Sequence, residues 1–197
     1  MIITVKKFVL IPIIVGLLGV YFSMTVFILP EHYSSKEQFV PVPYVEAELS
    51  VTEVRLGESF QLGIYSENRG DYGDIHILST SFPTVQNIED VVEIVSYDFT
   101  HAPKYIVPGD EIGYKYSAGL EKIHSKYPSI EAMSRPAPPG SQFHMDLVIT
   151  PGDVGPFSVY VKSIDIPHTS QLSHYPTSGQ LDHQDEYVLV YSVNVNP

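Results

Sequence analysis

His168, His174 and His183 stand close together near the C-terminus, with Asp182, Asp185 and Glu186 beside the last of them. Imidazole and carboxylate together suit Zn²⁺ or Cu²⁺. None of the three histidines lies two or four residues from another, so no pair is pre-spaced on a strand or helix, and a loop would have to assemble the site. The chain has no cysteine. Thiolate zinc sites, iron–sulfur clusters and blue-copper centres are thereby excluded. A histidine-based copper or zinc site at His168, His174 and His183 is what remains, against the plain alternative of solvated loop histidines. His144 beside Met145 pairs imidazole with thioether. Neighbours on a strand point to opposite faces, which assigns Met145 to a core and His144 to the surface. Calcium would need oxygens from turns; Asp71 with Asp74, and Asp110 with Glu111, are the candidates, but no Asp-x-Asp-x-Asp-Gly loop occurs.

Catalytic signatures are missing. The sequence holds no Gly-x-Ser-x-Gly elbow, no His-Glu-x-x-His and no Gly-rich phosphate loop. Serine, histidine and aspartate occur throughout, so only a triad assembled in space could act. The expectation is a protein that is not an enzyme and carries no cofactor.

These residues must be positioned by a chain of 197 residues with 23 Asp and Glu against 11 Lys and Arg, a net charge of −12. Such a surface repels nucleic acid and anionic headgroups and attracts cations or basic partners. From Phe8 to Leu29 there is no charged residue. A helix of that length spans roughly 30 Å, the thickness of a bilayer core. Lys6 and Lys7 precede it and Glu31 follows, which orients the N-terminus to the cytoplasm and the remainder outside. No small-x-small site closes the run, so the reading is an uncleaved anchor rather than a signal peptide. Gly19 and Ser23 form a small-xxx-small pair that could seat a partner helix. Absence of cysteine and of any Asn-x-Ser/Thr sequon points to a prokaryotic envelope. The expected division is 1–30 cytoplasmic tip and anchor, 31–44 extended spacer with Pro41 and Pro43, and 45–197 an outer domain.

Beyond Val45, alternation of period 2 recurs: Ala47-Leu49-Val51, Phe60-Leu62-Ile64, Ile75-Ile77 about His76, Ile112-Tyr114-Tyr116, Phe143-Met145-Leu147-Ile149, Phe157-Val159-Val161 and Tyr187 to Val195. Such strands set one face on a core and the other in water. Gly- or Pro-centred turns divide them at Gly57, Asn68–Asp71, Val107–Asp110 and Thr150–Asp153. About 7–9 strands without intervening helices predict an all-β antiparallel sandwich. Leu120, Ile123, Tyr127, Ile130 and Met133 fall at helical spacing and predict one or two helical turns, and 167–184 reads as a long loop. Tyr114, Tyr116, Tyr187 and Tyr191 suit sandwich edges or a binding face.

The stretch Leu49–Asp71, with Gly57-Glu58 after the first strand and Asn68-Arg69-Gly70-Asp71 after the second, resembles the opening of CARDB-like and related Ig-like modules of prokaryotic surface proteins. Val107-Pro-Gly-Asp-Glu111 is similar to their mid-domain turn. The resemblance implies an Ig-like sandwich and adhesion or scaffolding. The function expected is a single-pass, membrane-anchored outer module that binds a protein or glycan partner, or serves as accessory subunit of a membrane complex; the alternative is a metal-handling outer domain serving a membrane enzyme or transporter.

Overall fold

The computed structural model describes residues 2–24, 39–112, 123–167, 176–183 and 185–197, with side chains in the N-terminal helix described from Ile11 onward. The chain divides into two compact units, Met1–Gln38 and Phe39–Pro197. The first contains α1 (Ile2–Ser23) with Pro12 inside it. Its described side chains, Ile11, Leu17, Leu18 and Phe22 among them, are exposed. Among the described residues no helix is long and apolar enough to cross a membrane.

The second unit is built of strands: β1 (Pro43–Leu49), β2 (Glu53–Arg55), β3 (Phe60–Asn68), β4 (Gly73–Ser81), β5 (Val92–Tyr97), β6 (His101–Ile106), β7 (Glu111–Ile112), β8 (Ile123–His124), β9 (Ser129–Ser134), β10 (Gln142–Ile149), β11 (Gly155–Pro167), β12 (Gln180–Leu181) and β13 (Tyr187–Asn196). Four form a sheet in the order β1-β3-β10-β5. Seven form a second, β12-β13-β11-β4-β9-β6, with β2 added beside β13; β7 and β8 make a separate pair. The two-sheet, mostly antiparallel architecture agrees with the alternation. The strand number exceeds the expected 7–9, and the β2–β13 pairing is parallel.

Inward residues of the two sheets interdigitate in one core: Phe60, Leu62 and Ile64 of β3, Met145, Leu147 and Ile149 of β10, Val159 and Val161 of β11, and Ile130 and Ala132 of β9. Phe60 and Phe157 meet edge to face, with centroids 5.8 Å apart. Met145 is buried and His144 exposed, as strand alternation requires. Gly57 and Gly109 turn the chain at φ +82° and +93°, a region open to glycine at little cost.

Three expectations are corrected. The segment of Ile123, Tyr127, Ile130 and Met133 contains strands β8 and β9 where helical turns were expected; Ile130, Ala132 and Ser134 are buried on one face of β9, and pairing with β4 and β6 overrides the 3.6-residue spacing. The 167–184 segment includes β12, paired to β13. On β4 the phase is reversed: His76 faces the sandwich interior, fully buried, while Ile75 and Ile77 pack with Ile166, Ile164 and Met133 in a second cluster on the sheet's other face.

Candidate functional site

Three places gather chemistry in the β body, and the interior is the first. Ser66, His76, Asp165 and Ser134 face inward at one end of the sandwich, where β3, β4, β9 and β11 all switch from apolar to polar side chains. His76 Nδ1 lies 2.7 Å from Asp165 Oδ1, and its Nε2 is hydrogen-bonded to Ser66 Oγ. With the Nδ1 proton directed at the carboxylate, Nε2 accepts from the hydroxyl. This is the connectivity of a nucleophile, base and orienting acid. All three residues have zero exposure. The Phe143 ring lies 4.9 Å from His76 and is itself stacked on Phe99 at 5.3 Å. A nucleophile needs a carbonyl beside its oxygen, and this one is walled by side chains. What the trio does is tie the sheets together: Ser66 belongs to the four-stranded sheet, His76 and Asp165 to the seven-stranded one. It holds the layers in a chain that has no disulfide.

The second place is the outer face of the seven-stranded sheet. Lys162 Nζ donates to Asp182 Oδ2 at 3.1 Å and to the Glu186 carboxylate. Glu186 N donates to Asp182 Oδ1 at 3.1 Å. His183 sits in that turn, exposed, edge-on to the Tyr127 ring at 5.6 Å. A cavity of about 40 Å³ lies there, lined in part by Ser79, Tyr127, Lys162, Asp182 and His183, room for about one water. Of the predicted metal set, only His183 falls within the described residues; His168 and His174 lie outside them. The neighbouring carboxylates of Asp182 and Glu186 are engaged by an ammonium. Among the described residues no three His, Asp or Glu side chains converge as a metal site. Of the calcium candidates, Asp71 Oδ2 accepts from Val40 N, 31 residues away in the segment that leads into β1, and Asp110 Oδ2 accepts from Val107 N in its own turn.

Glu131 stands one strand away, opposite Ser79, whose other neighbour is Lys162. Burial raises its pKa, with Lys162 and Lys104 pulling the other way. A carboxyl whose pKa rises on folding favours the folded state below its unfolded value of 4.5 and loses that contribution as pH rises through the folded value. Glu131→Gln is therefore expected to raise the melting temperature at neutral pH, with the gain vanishing below about pH 4; thermal unfolding at several pH values measures it.

The third place is the outer face of the four-stranded sheet. Register sets Glu46 opposite Tyr65 and Glu48 opposite Gly63, with His144 and Asp146 across from the same two residues. Gly63 has no side chain, and a Cβ there would lie 3.4 Å from Asp146 Oδ1. Two shallow depressions of about 460 Å³ each meet at Glu48, Gly63 and Asp146. Tyr65 and His144 flank one; Val95 and Val148 flank the other. A bulge in β5 opposite Asp146/Leu147 leaves Val95 58% exposed at the rim. Ser96 Oγ donates to Asp146 Oδ2 at 2.5 Å. Arg69 sits at the far end of the face, 2.8 Å from Glu67 and 3.2 Å above the Tyr44 ring. Its guanidinium holds the Glu67 carboxyl below the usual range.

Two contacts close the sandwich edges. Ala47 N of edge strand β1 donates to Tyr191 Oη of the other sheet at 2.9 Å. Tyr105 Oη of edge strand β6 donates to Val92 O of edge strand β5 at 2.9 Å. Of the tyrosines singled out from sequence, Tyr191 thus guards an edge, Tyr187 is exposed, and Tyr114 and Tyr116 lie outside the described residues. The carboxylate–glycine face was not among the expected sites. Its one sequence signal is a glycine in the middle of an otherwise regular strand, which marks close approach or a missing side chain.

No family model matches the chain, and no curated protein matches it. Among solved structures it is similar to the CARDB domain of a Pyrococcus furiosus protein in complex with di-metal ions, at 11% identity and a TM-score of 0.39, covering 80% of this chain and 90% of that one. It is also similar to a Nocardia farcinica protein with an immunoglobulin-like fold, at 9% identity and a TM-score of 0.42, covering 76% and 97%. A third is the major pilin SpaD of Corynebacterium diphtheriae, at 6% and 0.40, covering 68% and 33%. These are likenesses of fold and carry nothing further about this chain.

Proposed function

We propose that this protein is a single-pass, membrane-anchored module whose Ig-like sandwich stands outside the cytoplasm and binds a partner through the outer face of its four-stranded sheet. The observation that carries the reading is that face. It is exposed, recessed about Gly63 and lined with carboxylates, while Tyr191 and Tyr105 spend their hydroxyls closing the edges. An edge so occupied is a poor template for strand addition. The uncharged run Phe8–Leu29 behind Lys6 and Lys7 supports the anchor and its orientation. Burial of the Ser66–His76–Asp165 trio favours interaction over catalysis.

Fractionation and cross-linking of native membranes test the reading. The chain is expected in the membrane pellet, resistant to high salt and released by detergent. External protease on intact cells is expected to remove the β body, and a cross-linker placed at Glu48 to join it to one partner. A chain found in the soluble fraction, or a β body spared by external protease, overturns the reading.

A further inference from the structure

The geometry points to a partner of one chemistry: an extended, lysine- or arginine-bearing polypeptide segment whose cationic side chains lie across Gly63 between Glu48 and Asp146. This rests on the interaction-module reading above and specifies its ligand. Charge is the first argument. Glu46, Glu48, Glu93 and Asp146 are exposed on this face, and among the described residues its lone arginine or lysine, Arg69, is already committed to Glu67 and Tyr44. Complementary charge of this kind selects a basic partner and speeds its encounter.

Spacing is the second argument. A metal needs its oxygens gathered within about 2.6 Å of one point, and no such group of three exists among the described residues. The carboxylates are instead spread over β1, β10 and β5, with Glu46 and Glu48 two residues apart along β1, the interval at which side chains of an extended chain recur on one face. The groove floor is backbone at Gly63, so an aliphatic stem can lie flat there. Val95 and Val148 offer it apolar walls, with the charged head free to reach a carboxylate.

The rings argue against a sugar. Carbohydrate recognition would use an open aromatic face. Here the guanidinium of Arg69 covers Tyr44, and Tyr65 is held edge-to-face between Tyr44 and His144, with centroids 6.4 and 5.0 Å away.

The test is binding of a short peptide alternating lysine and serine to the full chain in detergent micelles, by calorimetry at about 0.15 M salt. The same peptide with acetylated lysines and a neutral chitin oligosaccharide are run beside it. The paired substitution Glu48→Gln with Asp146→Asn is expected to weaken peptide binding about tenfold. Equal charge removal on distant turns, Glu58→Gln with Asp153→Asn, should leave it unchanged. Gly63→Leu, which fills the floor without altering charge, should weaken it as well, and acetylation should abolish it. Circular dichroism of each variant confirms the fold. Equal loss in both charge pairs, or no binding of the lysine peptide, overturns the inference. If the oligosaccharide binds in its place and Gly63→Leu removes it, the cationic ligand is refuted while the interaction module stands. Failure of the module itself would appear separately, in the membrane cross-linking.

Discussion

Asp165→Ala is expected to lower the unfolding free energy by about 3 kcal/mol, since a buried hydrogen bond is lost, the imidazole keeps an unpaired N–H, and a cavity is left. Its His76 partner has no route to water, since both side chains have zero exposure. Alanine would leave the imidazole Nδ1–H without its acceptor between Phe143 and the strand backbones. Domains of this kind are stable by about 5–15 kcal/mol, so the loss is a large fraction of the whole. For a chain of this size it is a fall of roughly 10 °C in melting temperature. The converse change separates a structural tie from bare packing. Replacing all three members together, Ser66→Ala, His76→Leu and Asp165→Val, removes every orphaned group and should recover most of the stability, because exchanging all the partners of a buried hydrogen bond for apolar groups of similar shape is often nearly neutral. Urea unfolding of both variants decides it. A loss below about 1 kcal/mol for Asp165→Ala would show that the trio does not bind the sheets together.

The trio also shows where the sequence could and could not be read. Alternation placed Phe60, Leu62 and Ile64, and Phe143, Met145, Leu147 and Ile149, on the interior, because each strand had a polar opposite face to contrast with. On β4 there is no contrast. Ile75 and Ile77 flank His76, and the hydrophobic reading sends the isoleucines inward. Yet the four strands that meet at this end carry Ser66, His76, Ser134 and Asp165 on their inward faces. Each is unremarkable alone. Ser66, His76 and Asp165 join in one hydrogen-bonded chain while Ser134 Oγ accepts from Thr100 N, and that becomes visible only when the register sets His76 beside Asp165. β9 escaped for a similar reason: Ile123, Tyr127 and Ile130 fit a helix as well as Ile130, Ala132 and Ser134 fit a strand, and the neighbouring strands β4 and β6 decide between them. The acidic face needed register too, since Glu48 and Asp146 are remote in sequence and meet only across Gly63.

The Asn68–Asp71 turn, legible from its residue types, does more than reverse the chain, and the second large effect lies there. Asn68 is fully buried and uses every hydrogen-bonding position of its amide. Nδ2 donates to Asp71 O at 2.6 Å and Ala137 O at 2.9 Å, while Oδ1 accepts from Val42 N at 3.1 Å and Gly70 N at 3.0 Å. The strap Val40–Val42, which leads into β1, is further held by Arg69 N donating to Val42 O and Asp71 N donating to Val40 O. The strap passes so close that a Cβ on Gly70 would overlap Val40 O and Val42 N and come within 2.7 Å of the Pro41 carbonyl carbon. Gly70 is required by space here. Asn68→Ala is accordingly expected to cost about 3 kcal/mol, since Val42 N, Gly70 N and Asp71 O each lose a hydrogen bond worth about 1 kcal/mol, while Ala137 O keeps Gly73 N as a donor. Gly70→Ala should leave the core intact but push the strap off, at about 1–3 kcal/mol. The two predictions differ in kind. Hydrogen exchange should show Gly70→Ala exposing the amides of Val40 and Val42 with β3 and β10 still protected, whereas Asn68→Ala should loosen both. If Gly70→Ala left the strap amides protected, the clamp would have to be abandoned and the turn returned to a simple reversal.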